Sequence, residues 1–196
     1  MKPDNTQASE TAARKCIPRA QWRTPTLETK RLILRPLNKG DAYEAFKRWT
    51  SDEDVARYMS WNTHISPDET LEWLKYEEAS LGSWENFTFG IALKDTHELI
   101  GSGGILYDDK LDRYGIGYCL MKSSWGKGYA TEASRCFLDF AIATLGITSF
   151  FAYHACDNPS SGKVLKKLGF SFAKYGTFIS ADGAKKFSRK EYYLDV

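Results

Sequence analysis

Between residues 41 and 50 apolar side chains recur at spacings of three and four: Ala42, Ala45, Phe46 and Trp49. That pattern predicts an amphipathic helix. A short helix around 53–58 follows it. At residues 66–80 Ser66 stands before Pro67, and Glu69 lies three positions on. This predicts a capping box opening a helix that buries Leu71 and Leu74. The strongest helical period runs over 129–145, with Ala130, Ala133, Phe137, Phe140, Ala141 and Leu145 on one face and Gly146 as terminator. A last helix spans 158–168, with Asn158 as cap, Pro159 in the first turn and Gly169 at the end. Shorter β-rich runs at 31–37, 87–93, 99–107, 114–121, 149–155, 170–178 and 187–194 predict strands. The first is bounded by Pro36 and reads as lying near an edge. In order, these elements form an antiparallel meander, a strand–helix–strand crossover and a terminal hairpin. The predicted class is α+β.

The first 25 residues are polar, carry three prolines and show no period. They read as a flexible tail, 1–25, that rests on the domain through Trp22. Nothing after it resembles a linker, so 26–196 reads as a single domain. A chain of 196 residues with 42% hydrophobic and 14% aromatic content can bury a core without disulfides or metals. Its 27 basic and 25 acidic residues leave a net charge of +2, which argues against nucleic acid as a partner. No apolar run reaches the length of a membrane span, and no secretory leader is visible. The four cysteines, Cys16, Cys119, Cys136 and Cys156, form no metal spacing. The expected location is the cytoplasm, with no membrane partner and no metal.

The chemistry concentrates in CLMKSSWGKGYATEA, residues 119–133, where a strand ends, a Gly-x-Gly loop follows and a helix begins. Gly126 and Gly128 let backbone approach a ligand closely. The free amides of the new helix, from Tyr129 and Ala130 to Thr131, favour an anion, and Lys127 adds a cation. Other phosphate motifs fit poorly. A dinucleotide fingerprint needs a third small residue where Thr131 stands, and a Walker loop needs Ser or Thr after Gly162-Lys163, where Val164 stands.

WGKGYATEA resembles the acyl-CoA pyrophosphate loop of the GNAT superfamily of N-acetyltransferases, most closely in its RimJ/RimL-type branch. LETKRLILRPL is similar to that branch's first strand, LIGSGGILYDD with GIGYCL to its central hairpin, and NPSSGKVLKKLGF to its second signature. The resemblance runs in order over residues 26–195. It implies a mixed, mostly antiparallel central sheet flanked by helices, with a splayed strand pair binding acyl-CoA. It implies acetyl-CoA as cosubstrate, its pantetheine arm beside Leu120 and Met121, its pyrophosphate on the amides of residues 126–131, and Asn158 bonding the pantetheine. Ser161 would sit by the sulfur and assist the departing thiolate. A β-bulge near Leu120 or Met121 would supply an oxyanion-holding amide.

Two positions depart from the family pattern. The strand glutamate of many relatives is replaced by Gly115, and helix 158–168 lacks the tyrosine that other branches use as acid. Ser161 is therefore the candidate acid, and His154, at the end of its strand, the candidate base. Asp108, Asp109 and Asp112 read as solvated turn charge. The resemblance implies transfer of an acetyl group to a primary amine, on a protein N-terminus or a small molecule. It leaves open another acyl group, a CoA-binding sensor without turnover, and a homodimer. Tyr58, Trp61, His64 and Trp84 are candidates for an aromatic acceptor pocket.

Overall fold

The computed structural model describes residues 18–180 and 182–196. Most of the expected tail, and Cys16, lie outside them. Within the described part Trp22 is 4% exposed and its ring lies 5.9 Å from that of Phe87, inside the main core.

Eight strands form one sheet: β1 (Leu27–Glu28), β2 (Leu32–Pro36), β3 (Asn86–Leu93), β4 (Leu99–Asp108), β5 (Arg113–Leu120), β6 (Ser149–Ala155), β7 (Ser171–Ile179) and β8 (Lys186–Asp195). Their spatial order is β1-β2-β3-β4-β5-β6-β8-β7. Every neighbouring pair is antiparallel except β5–β6. Short turns join β1–β2, β3–β4, β4–β5 and β7–β8, helical segments lie between β2 and β3, and the β5–β6 crossover carries a helix, as a parallel pair requires.

The parallel pair is joined at only two register positions, Tyr114↔Phe150 and Gly115↔Phe151. On its other edge β5 is paired with β4 from Gly101↔Leu120 to Asp108↔Arg113. On its other edge β6 is paired with β8 from Ser149↔Asp195 to Ala155↔Arg189. The twist that accumulates across the two halves is thus released where pairing is shortest, and the strands part beyond Gly115. The expected mixed, mostly antiparallel α+β sheet with a splayed pair is the observed one.

Helices cover both faces. On one, α4 (Tyr129–Phe140) and α5 (Pro159–Leu168) set Phe137, Phe140, Leu165 and Leu168 into the core, with Phe137 stacked on Phe89 at 5.1 Å. On the other, α1 (Ala42–Ala45), α2 (Glu53–Ala56) and α3 (Pro67–Ala79) enclose Trp49, Val55 and Leu74.

Several local expectations are corrected. The helix over 41–50 is composite: a 3-10 turn at Lys39–Asp41, α1, then a π turn at Phe46–Thr50. The helix over 129–145 likewise ends as α-helix at Phe140 and widens to a π turn over Ala141–Leu145, before Gly146 at φ 72°. No capping box forms at Ser66. Its side chain makes no cap hydrogen bond, and Glu69 accepts instead from the Ile65 amide at 3.0 Å. Leu71 is half-buried, while Thr70 and Leu74 are buried. The expected bulge near Leu120 or Met121 is not in β5. The β4–β5 ladder runs without a shift, and the irregularity lies in the β3–β4 ladder between Ile91 and Ala92, leaving Ile100 as the extra residue.

Candidate functional site

The strand separation opens a cleft of about 610 Å³. Its lining includes the glycine-rich surface of β4 and β5, the end of β6 and the first turn of α5; the loop that follows β5 continues from the same splayed strand.

After β5 the chain makes a 3-10 turn, Lys122–Ser124, and reaches Gly126 and Gly128 at φ 74° and 82°. Only glycine takes such angles cheaply, so the loop can fold back tightly and start α4 at Tyr129. Gly128 offers no capping side chain, and the first helical bond is Glu132 N–H to the Gly128 carbonyl at 3.1 Å. The amides of Tyr129, Ala130 and Thr131 are therefore the unpaired first-turn donors, an arrangement that suits an anion. Lys127 is exposed beside them.

Arg31, in the β1–β2 turn, latches this loop. Its Nε donates to Glu132 Oε2 at 2.6 Å and its Nη1 to the Lys127 carbonyl at 3.0 Å. Its guanidinium also lies 4.4 Å from the centre of the Tyr129 ring. Thr29 Oγ1 and the Arg31 amide donate to the other oxygen of Glu132, at 2.7 and 2.9 Å. Burial opposes the charge on Glu132, but the Thr29 and Arg31 bonds outweigh it and hold the carboxyl below its usual range. A carboxyl lowered in this way stabilises the fold at neutral pH and loses that contribution as pH falls through its folded-state pKa.

At the end of β5 the Met121 amide donates to the Ile100 carbonyl at 2.8 Å. Strand alternation then turns the Tyr118 and Leu120 amides to the open edge. The Leu120 carbonyl accepts from the Trp125 indole at 2.7 Å, which pins the loop to the strand end.

Across the gap Asn158 caps α5. Its Oδ1 accepts from the Ser161 amide at 3.3 Å, and its Nδ2 donates to Ser161 Oγ at 3.2 Å. The Tyr118 hydroxyl faces this pair. It is buried without a well-formed hydrogen bond, and burial pushes its phenol up, with Ser161 opposing. His154 is 6% exposed; Nδ1 lies 2.7 Å from the Ala155 carbonyl and Nε2 3.2 Å from the Tyr192 hydroxyl. A carbonyl only accepts, so Nδ1 carries a hydrogen and donates it to Ala155, while Nε2 shares a hydrogen bond with the Tyr192 hydroxyl. The first turn of α5 rests on this ring: a Cβ on Gly162 would come within 2.6 Å of Nε2.

The rest of the cleft is floored by glycines. A side chain at Gly115 would strike the Phe151 ring at 2.7 Å, so the glutamate of the family pattern would fit here only if that ring moved. A Cβ on Gly117 would meet nothing within 4 Å. Farther along, Glu77 of α3 accepts from Trp73 Nε1 at 2.9 Å and from Asn86 Nδ2 at 3.0 Å. No salt bridge engages Glu77 among the described residues, and its carboxyl lines the cleft.

The structure thus brings Asn158, Ser161 and His154 together in the cleft lining, whereas Leu120, Met121 and the 126–131 loop follow along the chain at the end of β5 and are not part of that lining. Tyr58, Trp61 and Asp108 also line the cleft, while Trp84 packs on Tyr107 at 5.0 Å outside it. Asp108 caps its own turn through the Lys110 and Leu111 amides, both at 3.0 Å. Tyr118, Glu77 and Arg31 were missed as site residues. Glu77 had one signal, its i,i+4 spacing from Trp73. Among the described residues no helix is long and apolar enough to cross a membrane. No cluster of three metal-ligating side chains occurs among them.

Residues 31–171 match the acetyltransferase (GNAT) domain family. The chain is 33% identical over 162 residues to the uncharacterized N-acetyltransferase p20 of Bacillus licheniformis, covering 82% of this chain and 89% of that protein. It is 32% identical over 147 residues to the uncharacterized N-acetyltransferase YoaA of Bacillus subtilis (strain 168), covering 74% and 82%. The ribosomal-protein-S5-alanine acetyltransferase of Vibrio fischeri shares the fold at a TM-score of 0.74 and 19% identity, over 87% of this chain and 96% of that one.

Proposed function

The chain belongs to the GNAT acetyltransferase family and is an acetyltransferase, and from that premise we propose that it moves an acetyl group from acetyl-CoA to a primary amine. The observation that carries this reading is the two-rung β5–β6 junction: beyond it β5 runs on alone to the Gly126–Gly128 loop, and Ser161 lines the cleft that opens there. The pyrophosphate would sit on the amides of residues 126–131. The pantetheine would lie in the gap beside Leu120, within reach of Asn158. We read 26–196 as one transferase domain of the RimJ/RimL-like branch. The loop motif WGKGYATEA supports that assignment, as does the fold shared with an enzyme named for a ribosomal-protein alanine. A protein N-terminus is accordingly one acceptor class, and a small amine the other.

In the proposed reaction the amine attacks the thioester carbonyl directly, and no acyl-enzyme forms. Holding both substrates in one cleft supplies proximity. The Leu120 amide, on the open edge, would steady the oxyanion. The tetrahedral intermediate then expels CoA as thiolate while the nitrogen loses its proton. A thiol pKa of about 8.5 means that the thiolate needs only modest help. Ser161, oriented by Asn158 and facing Tyr118, would hydrogen-bond the sulfur. Ser161→Ala should lower kcat by about 10- to 100-fold and change the acetyl-CoA KM little, because the contact strengthens as the thiolate forms. An unchanged kcat would reduce Ser161 to a helix residue.

Both ring nitrogens of His154 are engaged, and the turn bearing Ser161 rests on the ring. We assign His154 to positioning, with the ammonium proton leaving through water. Only the free amine attacks, so kcat at saturating acetyl-CoA should rise with pH along a limb set by the acceptor's own pKa. That limb should move when the acceptor changes and persist in His154→Gln. Its loss in the variant would make His154 the base.

The reaction itself is tested by amine-dependent release of CoA thiol from acetyl-CoA across a panel of small amines and N-terminal peptides. Steady release with an amine supports the transferase. Tight CoA binding without turnover supports a sensor.

A further inference from the structure

Behind the cleft lies a second, smaller cavity of about 130 Å³, lined by Trp49, Thr50, Trp61, His64, Trp73 and Ser102. Trp61, Trp73 and Ser102 line both spaces, so the smaller one is a side pocket of the larger. Three tryptophans from separate elements converge there. Trp73 is oriented by its bond to Glu77, and Trp61 packs on His64 at 5.6 Å. The hydroxyls of Thr50 and Thr70 bond each other at 2.7 Å, and Thr70 bonds His64 Nδ1 at 2.7 Å, so this polar edge is already satisfied. Burial holds the His64 imidazole below its usual range, so the pocket brings little positive charge of its own.

Trp49 is the exception. It is 0% exposed, and its indole N–H is buried with no acceptor among the described residues. A buried donor left unpaired is costly, and Trp49 is one of the residues that line the pocket, so an acceptor atom that reaches the indole from there would relieve that cost. Placement ties the pocket to the reacting centre. Ser102 pairs in register with Cys119 of β5, its Oγ 3.3 Å from the Cys119 sulfur, one strand from the open edge. Neighbouring strands are about 4.8 Å apart, so a group in the pocket would be attached close to the reacting nitrogen.

We propose that this tryptophan pocket is the acceptor-recognition subsite, taking a single six-membered ring or a group of similar volume that presents an oxygen to the Trp49 indole N–H. The size follows from the volume, since an apolar cavity of about 150 Å³ holds benzene. The chemistry follows from aromatic walls that favour a flat apolar group and one donor that requires an acceptor atom. The subsite deepens the acetyl-transfer reading of the cleft and rests on it for its role. Occupancy of the pocket can be read without any transfer.

The test uses p-cresol and toluene, which share a ring and differ in the oxygen. The Trp49 indole N–H resonance of the intact protein is followed by ¹H–¹⁵N spectroscopy and assigned by its absence in Trp49→Phe. p-Cresol should shift that resonance downfield and bind about 5- to 10-fold more tightly than toluene, the value of one net hydrogen bond. Trp61→Leu, which removes a half-buried wall, should weaken both ligands and keeps the test open if Trp49→Phe fails to fold. In turnover, tyramine should exceed phenethylamine in kcat/KM by a similar factor and tryptamine by more, and Trp49→Phe should bring tyramine down to phenethylamine. A Trp49 resonance indifferent to p-cresol would overturn the proposal, as would equal affinity for toluene. Binding of p-cresol as described with no amine acetylated would leave the pocket standing and contradict the transfer reading instead.

Discussion

Gly128→Val is expected to weaken acetyl-CoA binding by about 100-fold or more, with the protein still folded. The residue sits at φ 82° and caps α4 with no side chain. A β-branched residue does not tolerate that region, so the loop must shift, at a cost of about 1–3 kcal/mol. The shift re-aims the Tyr129, Ala130 and Thr131 amides together. Hydrogen bonds to a charged group contribute about 1.5–3 kcal/mol each, and about 1.4 kcal/mol is tenfold in affinity. Losing two of them accounts for the expected fall. Space is not the issue, since a Cβ there would lie 3.5 Å from Arg31 Nη2. Calorimetric titration of acetyl-CoA, with circular dichroism for the fold, checks the result. Unchanged affinity in a folded variant would remove the pyrophosphate from this loop.

Gly117→Leu should produce the second large effect, on the acceptor. Position 117 lies on the cleft floor, a new side chain there meets no atom within 4 Å, and the backbone is in an ordinary extended conformation. The variant should therefore fold with a nearly unchanged melting temperature while its side chain fills the acceptor's path. A misplacement of about 1 Å can cost on the order of 10²-fold in rate, so kcat/KM for the amine should fall at least that far. The acetyl-CoA Kd should move much less. Loss of acetyl-CoA binding would instead put Gly117 in the donor's path. Gly104 is the contrast. A Cβ there would stand 1.9 Å from the Phe87 carbonyl, so substitution attacks the sheet itself.

These two glycines mark where the sequence is legible. Both sit in the same glycine-rich hairpin, and nothing in LIGSGGILYDD or GIGYCL separates one required by strand packing from one that keeps a channel open. The distinction depends on what lies across the sheet. The strand Ser149–Ala155 was readable to the residue because β-rich alternation between Gly146 and Asn158 leaves little freedom. Asn158 and Gly169 were readable because caps are local chemistry. Ser66 misled for the converse reason: the motif was present, but Glu69 reached the Ile65 amide instead. Arg31 and Glu132 are 101 residues apart and Tyr118 meets Ser161 across the splay, so neither partnership has a local signature. The tryptophan pocket joins Trp61 and His64, which the sequence offers as acceptor-pocket candidates, to Trp49, Trp73 and Ser102, which nothing local singles out. The absent strand glutamate was visible as Gly115, but its reason, the Phe151 ring occupying that space, was not.

In the proposed reaction acetyl-CoA bound in the β5–β6 cleft is attacked directly by an amine. Single-turnover mass spectrometry with acetyl-CoA labelled with ¹³C in the acetyl group tests it most directly, using the wild-type protein and the same panel of small amines and N-terminal peptides. One labelled acetyl group should appear on the amine for each CoA thiol released, with the protein itself unlabelled at every time point. Labelled protein appearing before labelled amine, or bound acetyl-CoA that persists intact with every amine offered, would contradict it.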